Sequence, residues 1–196
     1  MAPDGRHIYV THAVGIMSVI NTATNSATGT VDTRGNPADN PVEIAMTPDG
    51  HAAYVTNRGS GTVSVINTAT DTVTATIRVQ YGPNGVAVAP DGRYAYVTNE
   101  GSATVSVIDT ATNTVVATIN VGNSPVTVAV GPDSHRAYVV NRGLKAVSVI
   151  DTLTDTVTST VEIGGDPGAV AVTPDGRHAY VTNAGSGAVS VIDTGS

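Results

Sequence analysis

One spacing governs this sequence. The turn Pro-Asp-Gly begins at Pro3, Pro48, Pro90 and Pro174, with the variant Pro132-Asp133-Ser134, at intervals of 45, 42, 42 and 42 residues. The phrase Ser-Val-Ile ends at Ile20, Ile66, Ile108, Ile150 and Ile192, at intervals of 46, 42, 42 and 42. Two separate landmarks that keep one period establish a tandem repeat, and a period of this length restricts the chain to a solenoid, a propeller or an array.

Within a unit the sequence divides into four strands. In the third unit these are Val86–Ala89, Tyr94–Thr98, Thr104–Asp109 and Thr114–Val121, separated by Pro90-Asp91-Gly92, Asn99-Glu100-Gly101-Ser102 and Thr110-Ala111-Thr112-Asn113. The separators are hairpin chemistry: Gly supplies positive φ, and Asn or Asp bonds the backbone two residues on. No stretch carries a sustained helical period. The strands place apolar or small uncharged residues on both faces, as in Val105-Ser106-Val107-Ile108, which predicts sheets covered on both sides. The fold class is therefore all-β: a β-propeller of four-stranded blades of about 42 residues, about four and a half of them in one domain. The units run about 1–40, 41–82, 83–124, 125–166 and 167–196, the first and last incomplete.

Composition narrows the partners. The chain has no Phe and no Trp, so a core must be filled by Val, Ala, Ile, Thr and Tyr. A formal charge of -7, with nine scattered Lys and Arg, argues against a nucleic-acid partner, which needs clustered cations. The absence of Cys excludes disulfides and thiolate metal sites. No apolar run is long enough for a transmembrane segment, and Met1 to Arg6 reads as a repeat turn, not a signal peptide.

Tyr54-Val55-Thr56-Asn57, Tyr96-Val97-Thr98-Asn99 and Tyr180-Val181-Thr182-Asn183 carry a further signature, with Tyr138-Val139-Val140-Asn141 and Tyr9-Val10-Thr11-His12 as degenerate copies. With the phrases Pro90-Asp91-Gly92-Arg93 and Val107-Ile108-Asp109-Thr110, the chain resembles the YVTN β-propeller repeat family over nearly its whole length. The resemblance implies the propeller fold and a location at the cell surface, outside the cell or in the periplasm, since similar repeats occur in surface-layer and exported propellers. They also resemble haem-d1-binding, lactonase-like and antibiotic-lyase-like propellers.

In a propeller the loops from strand four to the next strand one, and from strand two to strand three, share a rim. Departures from the repeat on that rim are the candidates for ligand binding. The first four-to-one loop, Asp32 to Pro41, is about four residues longer than its counterparts and contains Asp39. Glu43 follows it, where the other units have Gly85, Thr127 and Ala169. It reads as a carboxylate at the channel mouth, serving a ligand, or as a solvated charge. Tyr81 stands where the next unit has Asn123 and is a candidate stacking platform. Arg58, Glu100 and Arg142 follow the signature Asn and form a candidate charged ring, with Lys145 a similar case; His12 replaces that Asn on the same rim. The aspartates at 4, 49, 91, 133 and 175 recur in every unit, which assigns them to turns. No metal-ligand spacing, nucleophile elbow or phosphate loop is present, so no catalytic residue, metal or cofactor is expected.

The expected function is a non-catalytic binding or scaffold module for a protein or small ligand. The alternative is a lactonase-like or lyase-like propeller enzyme with a site built around Glu43, Asp39, His12 and Asn84. The terminal units carry strands two to four and one to three. This points to part of a larger propeller or to self-association through open blade edges, against a small closed ring.

Overall fold

The structure is a computed structural model that describes residues 2–12, 15–33 and 40–195. Among the described residues eighteen strands form five antiparallel sheets in chain order, and no α-helix occurs. The first sheet holds β1 (His7–His12), β2 (Ile16–Asn21) and β3 (Ser26–Asp32). The second holds β4 (Pro41–Met46), β5 (Ala52–Asn57), β6 (Thr62–Asn67) and β7 (Thr72–Arg78). The third holds β8 (Pro83–Val88), β9 (Tyr94–Asn99), β10 (Thr104–Asp109) and β11 (Thr114–Asn120), with a 3-10 turn at Glu100–Ser102. The fourth holds β12 (Pro125–Val130), β13 (Arg136–Asn141), β14 (Ala146–Asp151) and β15 (Thr156–Glu162). The fifth holds β16 (Pro167–Val172), β17 (His178–Asn183) and β18 (Ala188–Asp193). The result is a propeller-like row of meanders whose innermost strands β4, β8, β12 and β16 pack one on the next. No strand of the first sheet pairs with one of the last among the described residues.

The recurrent aspartates are turn residues. The Oδ1 atoms of Asp4, Asp49, Asp91, Asp133 and Asp175 each accept the backbone N–H two residues on, at 2.8 to 3.1 Å. The following Gly5, Gly50, Gly92 and Gly176 take positive φ, where glycine avoids the Cβ clash. First strands begin earlier than the apolar run indicates, at Pro83 instead of Val86, because a bulge intervenes. The register to the second strand shifts between Pro83 and Val86, and likewise between Pro41 and Ile44 and between Pro167 and Val170. The bulge residues Asn84 and Gly85 are not apolar, so the alternation hides them.

Each pair of neighbouring sheets shares one core. Tyr54, Val63 and Val65 of the second sheet pack against Ala95, Val97 and Ile108 of the third. The same positions recur as Tyr96, Val105 and Val107 against Ala137, Val139 and Ile150. They recur again as Tyr138, Val147 and Val149 against Ala179, Val181 and Ile192, and as Tyr9, Met17 and Val19 against Ala53, Val55 and Ile66. One tyrosine per interface supplies the bulk that Phe or Trp would supply elsewhere, and small Ala residues opposite leave room for it.

The signature Thr closes the inner ends of these interfaces. Gly85 N donates to Thr98 Oγ1 at 2.7 Å, and Thr98 Oγ1 lies 3.3 Å from the Val126 carbonyl of the next sheet. Thr56 likewise accepts from Glu43 N at 3.1 Å and donates to the Asn84 carbonyl at 2.6 Å. Each hydroxyl thus satisfies a bulge N–H of its own sheet and holds the inner strand of the next. Replacing Thr98 with Val keeps the shape and leaves the Gly85 N–H without this acceptor in a buried place. The expected loss is about 1–3 kcal/mol, read as a lower urea midpoint with an unchanged slope. An unchanged midpoint would show that the bulge needs no hydroxyl. In the fourth unit Val140 already replaces this Thr, and there the register differs: Thr127 pairs directly with Val140.

Candidate functional site

The strand order puts the four-to-one and two-to-three loops of each unit side by side. Backbone bonds clasp them: Arg58 N to Asn40 O (3.1 Å), Glu100 N to Gly82 O (2.8 Å), Arg142 N to Ser124 O (2.9 Å) and Ala184 N to Asp166 O (3.0 Å). The residue after each signature Asn is therefore carried to one rim. Arg58 Nη2 lies 2.7 Å from Glu100 Oε2, bridging the second and third sheets. Asn84 Nδ2 donates to the same Oε2 at 3.0 Å. Arg142 forms a bidentate pair with Asp166, through Nε to Oδ1 at 2.6 Å and Nη2 to Oδ2 at 3.0 Å. This pair holds the exposed Asp166 carboxyl below the ordinary carboxylate range and raises the Arg142 guanidinium further. The three ring candidates are thus brought onto one rim as ion pairs between units, with an unanticipated member in Asp166. The signal for Asp166 lies in the sequence, since it replaces Gly82 and Ser124 of the other units.

Tyr81 is 74% exposed. Its ring lies against Gly101, where an added Cβ would collide with it, and its backbone N donates to Ser102 Oγ at 3.0 Å. Arg58, Tyr81, Gly82, Glu100, Gly101 and Ser124 line an open recess of about 250 Å³. Three of the candidate residues, Arg58, Tyr81 and Glu100, therefore share this recess, and Arg142 is tied to its edge through Ser124. Recesses of similar size on the opposite rim recur beneath Tyr9, Tyr54 and Tyr138, and that repetition marks them as packing features.

Glu43 sits apart from the recess, on innermost strand β4. Its Oε2 accepts the Val86 N–H of the neighbouring sheet at 3.1 Å. Burial pushes its carboxyl above the ordinary glutamate value, and the Val86 bond opposes this in part. The folded protein consequently binds a proton here more readily than the unfolded chain. The stability from this group is fully present below the unfolded value of 4.5 and is lost as pH rises through the folded one. Glu43→Gln keeps an acceptor for Val86 without the charge. It is expected to melt higher than the parent at pH 7 and equally at pH 4; a lower melting temperature at pH 7 would mean that the charge itself is needed.

His12 Nε2 is 2.8 Å from Ser18 Oγ. The signature asparagines make the corresponding contact, Asn57 Nδ2 to Ser64 Oγ at 2.8 Å and Asn99 Nδ2 to Ser106 Oγ at 3.0 Å. The histidine therefore occupies the bonding position of the amide it replaces. Asp39 lies outside the described residues. Among the described residues no three His, Asp or Glu side chains gather as a metal site, and no helix is long and apolar enough to cross a membrane.

Comparison with known proteins places this geometry in context. No curated protein matches the chain. A chain of the Kuenenia stuttgartiensis hydrazine synthase structure is similar in fold, with a TM-score of 0.89 and 28% identity. The match covers 99% of this chain and 61% of that one, so the present chain spans less than two thirds of its length. The family model of the choice-of-anchor I domain matches residues 1–196. The chain belongs to the choice-of-anchor I domain family.

Proposed function

We propose that the chain is a non-catalytic, YVTN-type β-propeller module that binds a protein or small ligand at the cell surface or in the periplasm. Its binding surface is the rim carrying Arg58, Tyr81, Glu100 and Arg142. The observation that carries this reading is the pairing of the rim charges. Arg58 with Glu100 and Arg142 with Asp166 already neutralise one another, while the Tyr81 ring beside them stays open to solvent. Paired charges fix orientation and exclude wrong partners, and an aromatic beside them supplies contact area. The two charged side chains that line the open recess, Arg58 and Glu100, are engaged with each other. The family's description as an anchor domain and the uniform inner strands agree with a binding role.

The test is retention of cell-envelope fractions on the immobilised chain. Loss of the same component with Tyr81→Ala and with Arg58→Glu, but not with the opposite-rim variant His51→Ala, is expected. Equal retention by all three would overturn the assignment to this rim. A second reading, a propeller enzyme, rests on the half-buried, proton-retaining Glu43 on an innermost strand. It predicts hydrolysis of lactones by the parent chain and its abolition in Glu43→Gln.

A further inference from the structure

The third unit alone carries Asn-Gly at the bulge of its first strand. Asn84 and Gly85 stand where the other units have Val42 and Glu43, Val126 and Thr127, and Gly168 and Ala169, and no second Asn-Gly pair occurs in the chain. This dipeptide has a reactivity of its own. The glycine nitrogen, unshielded by a Cβ and free to take the backbone angles required, can reach the side-chain carbon of the asparagine. In an unfolded chain nothing restrains that approach.

In the fold the two residues are restrained by side chains instead of a strand ladder. The pairing of β8 with β9 skips from Pro83 to Val86, so Asn84 and Gly85 take no part in it. Three side chains hold them in its place. The Gly85 N–H donates to Thr98 Oγ1 at 2.7 Å, and the residue is buried. The Asn84 carbonyl accepts from Thr56 Oγ1 at 2.6 Å. The Asn84 side chain donates through Nδ2 to Glu100 Oε2 at 3.0 Å. The nitrogen that would attack is thus committed to one hydroxyl, and the amide that would leave to one carboxylate.

We propose that Asn84–Gly85 is a self-modification site held shut by the fold, and that release of the Gly85 nitrogen from Thr98 opens it. The nitrogen loses its proton to solvent base and attacks Asn84 Cγ. The new C–N bond closes a succinimide ring, the Cγ–Nδ2 bond breaks, and the side-chain nitrogen takes a proton back and leaves as ammonia. Water then opens the ring, at Cγ to give aspartate or at the main-chain carbonyl to give isoaspartate. Neither product fits. Aspartate places a carboxylate where the amide now donates to Glu100 Oε2, beside the Arg58 pair. Isoaspartate lengthens the main chain by one carbon, in a bulge where a Cβ on Gly85 would already meet the Val126 carbonyl oxygen at 2.7 Å. Modification at Asn84 is irreversible and undoes the Glu100 side of the rim, so the rim carries a one-way chemical clock whose latch is Thr98.

The experiment is incubation of the full chain in mildly alkaline buffer, with peptide mass spectrometry at Asn84 and enzymatic methylation of isoaspartate as readouts. The folded parent is expected to convert far more slowly than the same chain in urea. Folded Thr98→Val is expected to convert about tenfold faster than the folded parent, as for loss of the one hydrogen bond that holds the nitrogen. Thr98→Ser keeps a hydroxyl and is expected to return to the parental rate. Val181→Ala thins the core of the fifth sheet, away from the bulge, and controls for general destabilisation. Its rate is expected to stay parental, because local opening exposes the site and global unfolding is not required. If Thr98→Val does not fold, hydrogen exchange of the parent reads the latch: the Gly85 N–H is expected to exchange slowly, and rapid exchange would overturn the proposal. Asn84→Asp reproduces the aspartate product and is expected to unfold at a lower urea midpoint than the parent. Equal conversion of folded and unfolded parent, a Thr98→Val rate no higher than that of Val181→Ala, or a parental midpoint for Asn84→Asp would each overturn it as well. None of these readouts depends on a ligand at the rim.

Discussion

Replacing Tyr96 with Ala is expected to cost about 3–5 kcal/mol, the range for removing a large buried aromatic side chain. For a domain of this size that corresponds to a fall in melting temperature of roughly 10 °C. The ring fills the core between the third and fourth sheets and is 1% exposed. Ala137 and Val139 face it, and they are too small to move into the space it leaves. Burial pushes its hydroxyl well above the usual tyrosine value, with the Asp155 carboxylate adding to the shift. The control is Tyr180→Ala. The two tyrosines hold the same place in the repeat, but no sheet covers Tyr180 among the described residues, where it is 43% exposed, and its loss is expected to cost less than about 1 kcal/mol. Thermal melts of both variants under dilute conditions check the pair. Equal losses would mean that the tyrosines act within their own sheets and that the interfaces contribute little.

That comparison marks the limit of what the sequence discloses. Strand number, order and turns were legible because each depends on neighbours within about ten residues. The Asp91 carboxylate bonding Arg93 N is a local event, repeated at the same spacing in each unit. Burial is not local. Tyr96 and Tyr180 sit in nearly identical phrases, and only the presence or absence of a neighbouring sheet separates them. The candidate site shows the same division. The unusual residues Arg58, Glu100 and Arg142 are visible as departures from the repeat. The pairing of Arg58 with Glu100 and of Arg142 with Asp166 is visible only once loops of successive units stand side by side. Glu43 read as an isolated channel charge. Its partner, the Val86 N–H, is freed by a bulge that the apolar alternation conceals.

The bulge also makes a substitution that looks harmless in the repeat a damaging one. Positions equivalent to Gly85 are Glu43, Thr127 and Ala169, all with a Cβ, so Gly85→Ala reads as a return to the common pattern. In the folded chain a Cβ on Gly85 would meet the Val126 carbonyl oxygen at 2.7 Å and Thr127 Cα at 2.8 Å. Both are backbone atoms of the adjacent inner strand and cannot rotate away. The Glu43 Oε2 atom lies 3.1 Å off on the other side. At Ala169 no further inner strand follows among the described residues, and at Thr127 the register differs, so neither position faces this crowding. Relief at Gly85 requires β8 and β12 to separate, which lengthens the Thr98 contact to Val126. The expected cost is about 1–3 kcal/mol, as for an added methyl group in a packed interior. A urea titration of Gly85→Ala beside Ala169→Gly reads it. A lower midpoint for Gly85→Ala, with a much smaller change at 169, is the expected result. A parental or raised midpoint for Gly85→Ala would show that the inner strands adjust freely, and the inner ring would then be a compliant element instead of the fixed frame that holds the rim loops in place.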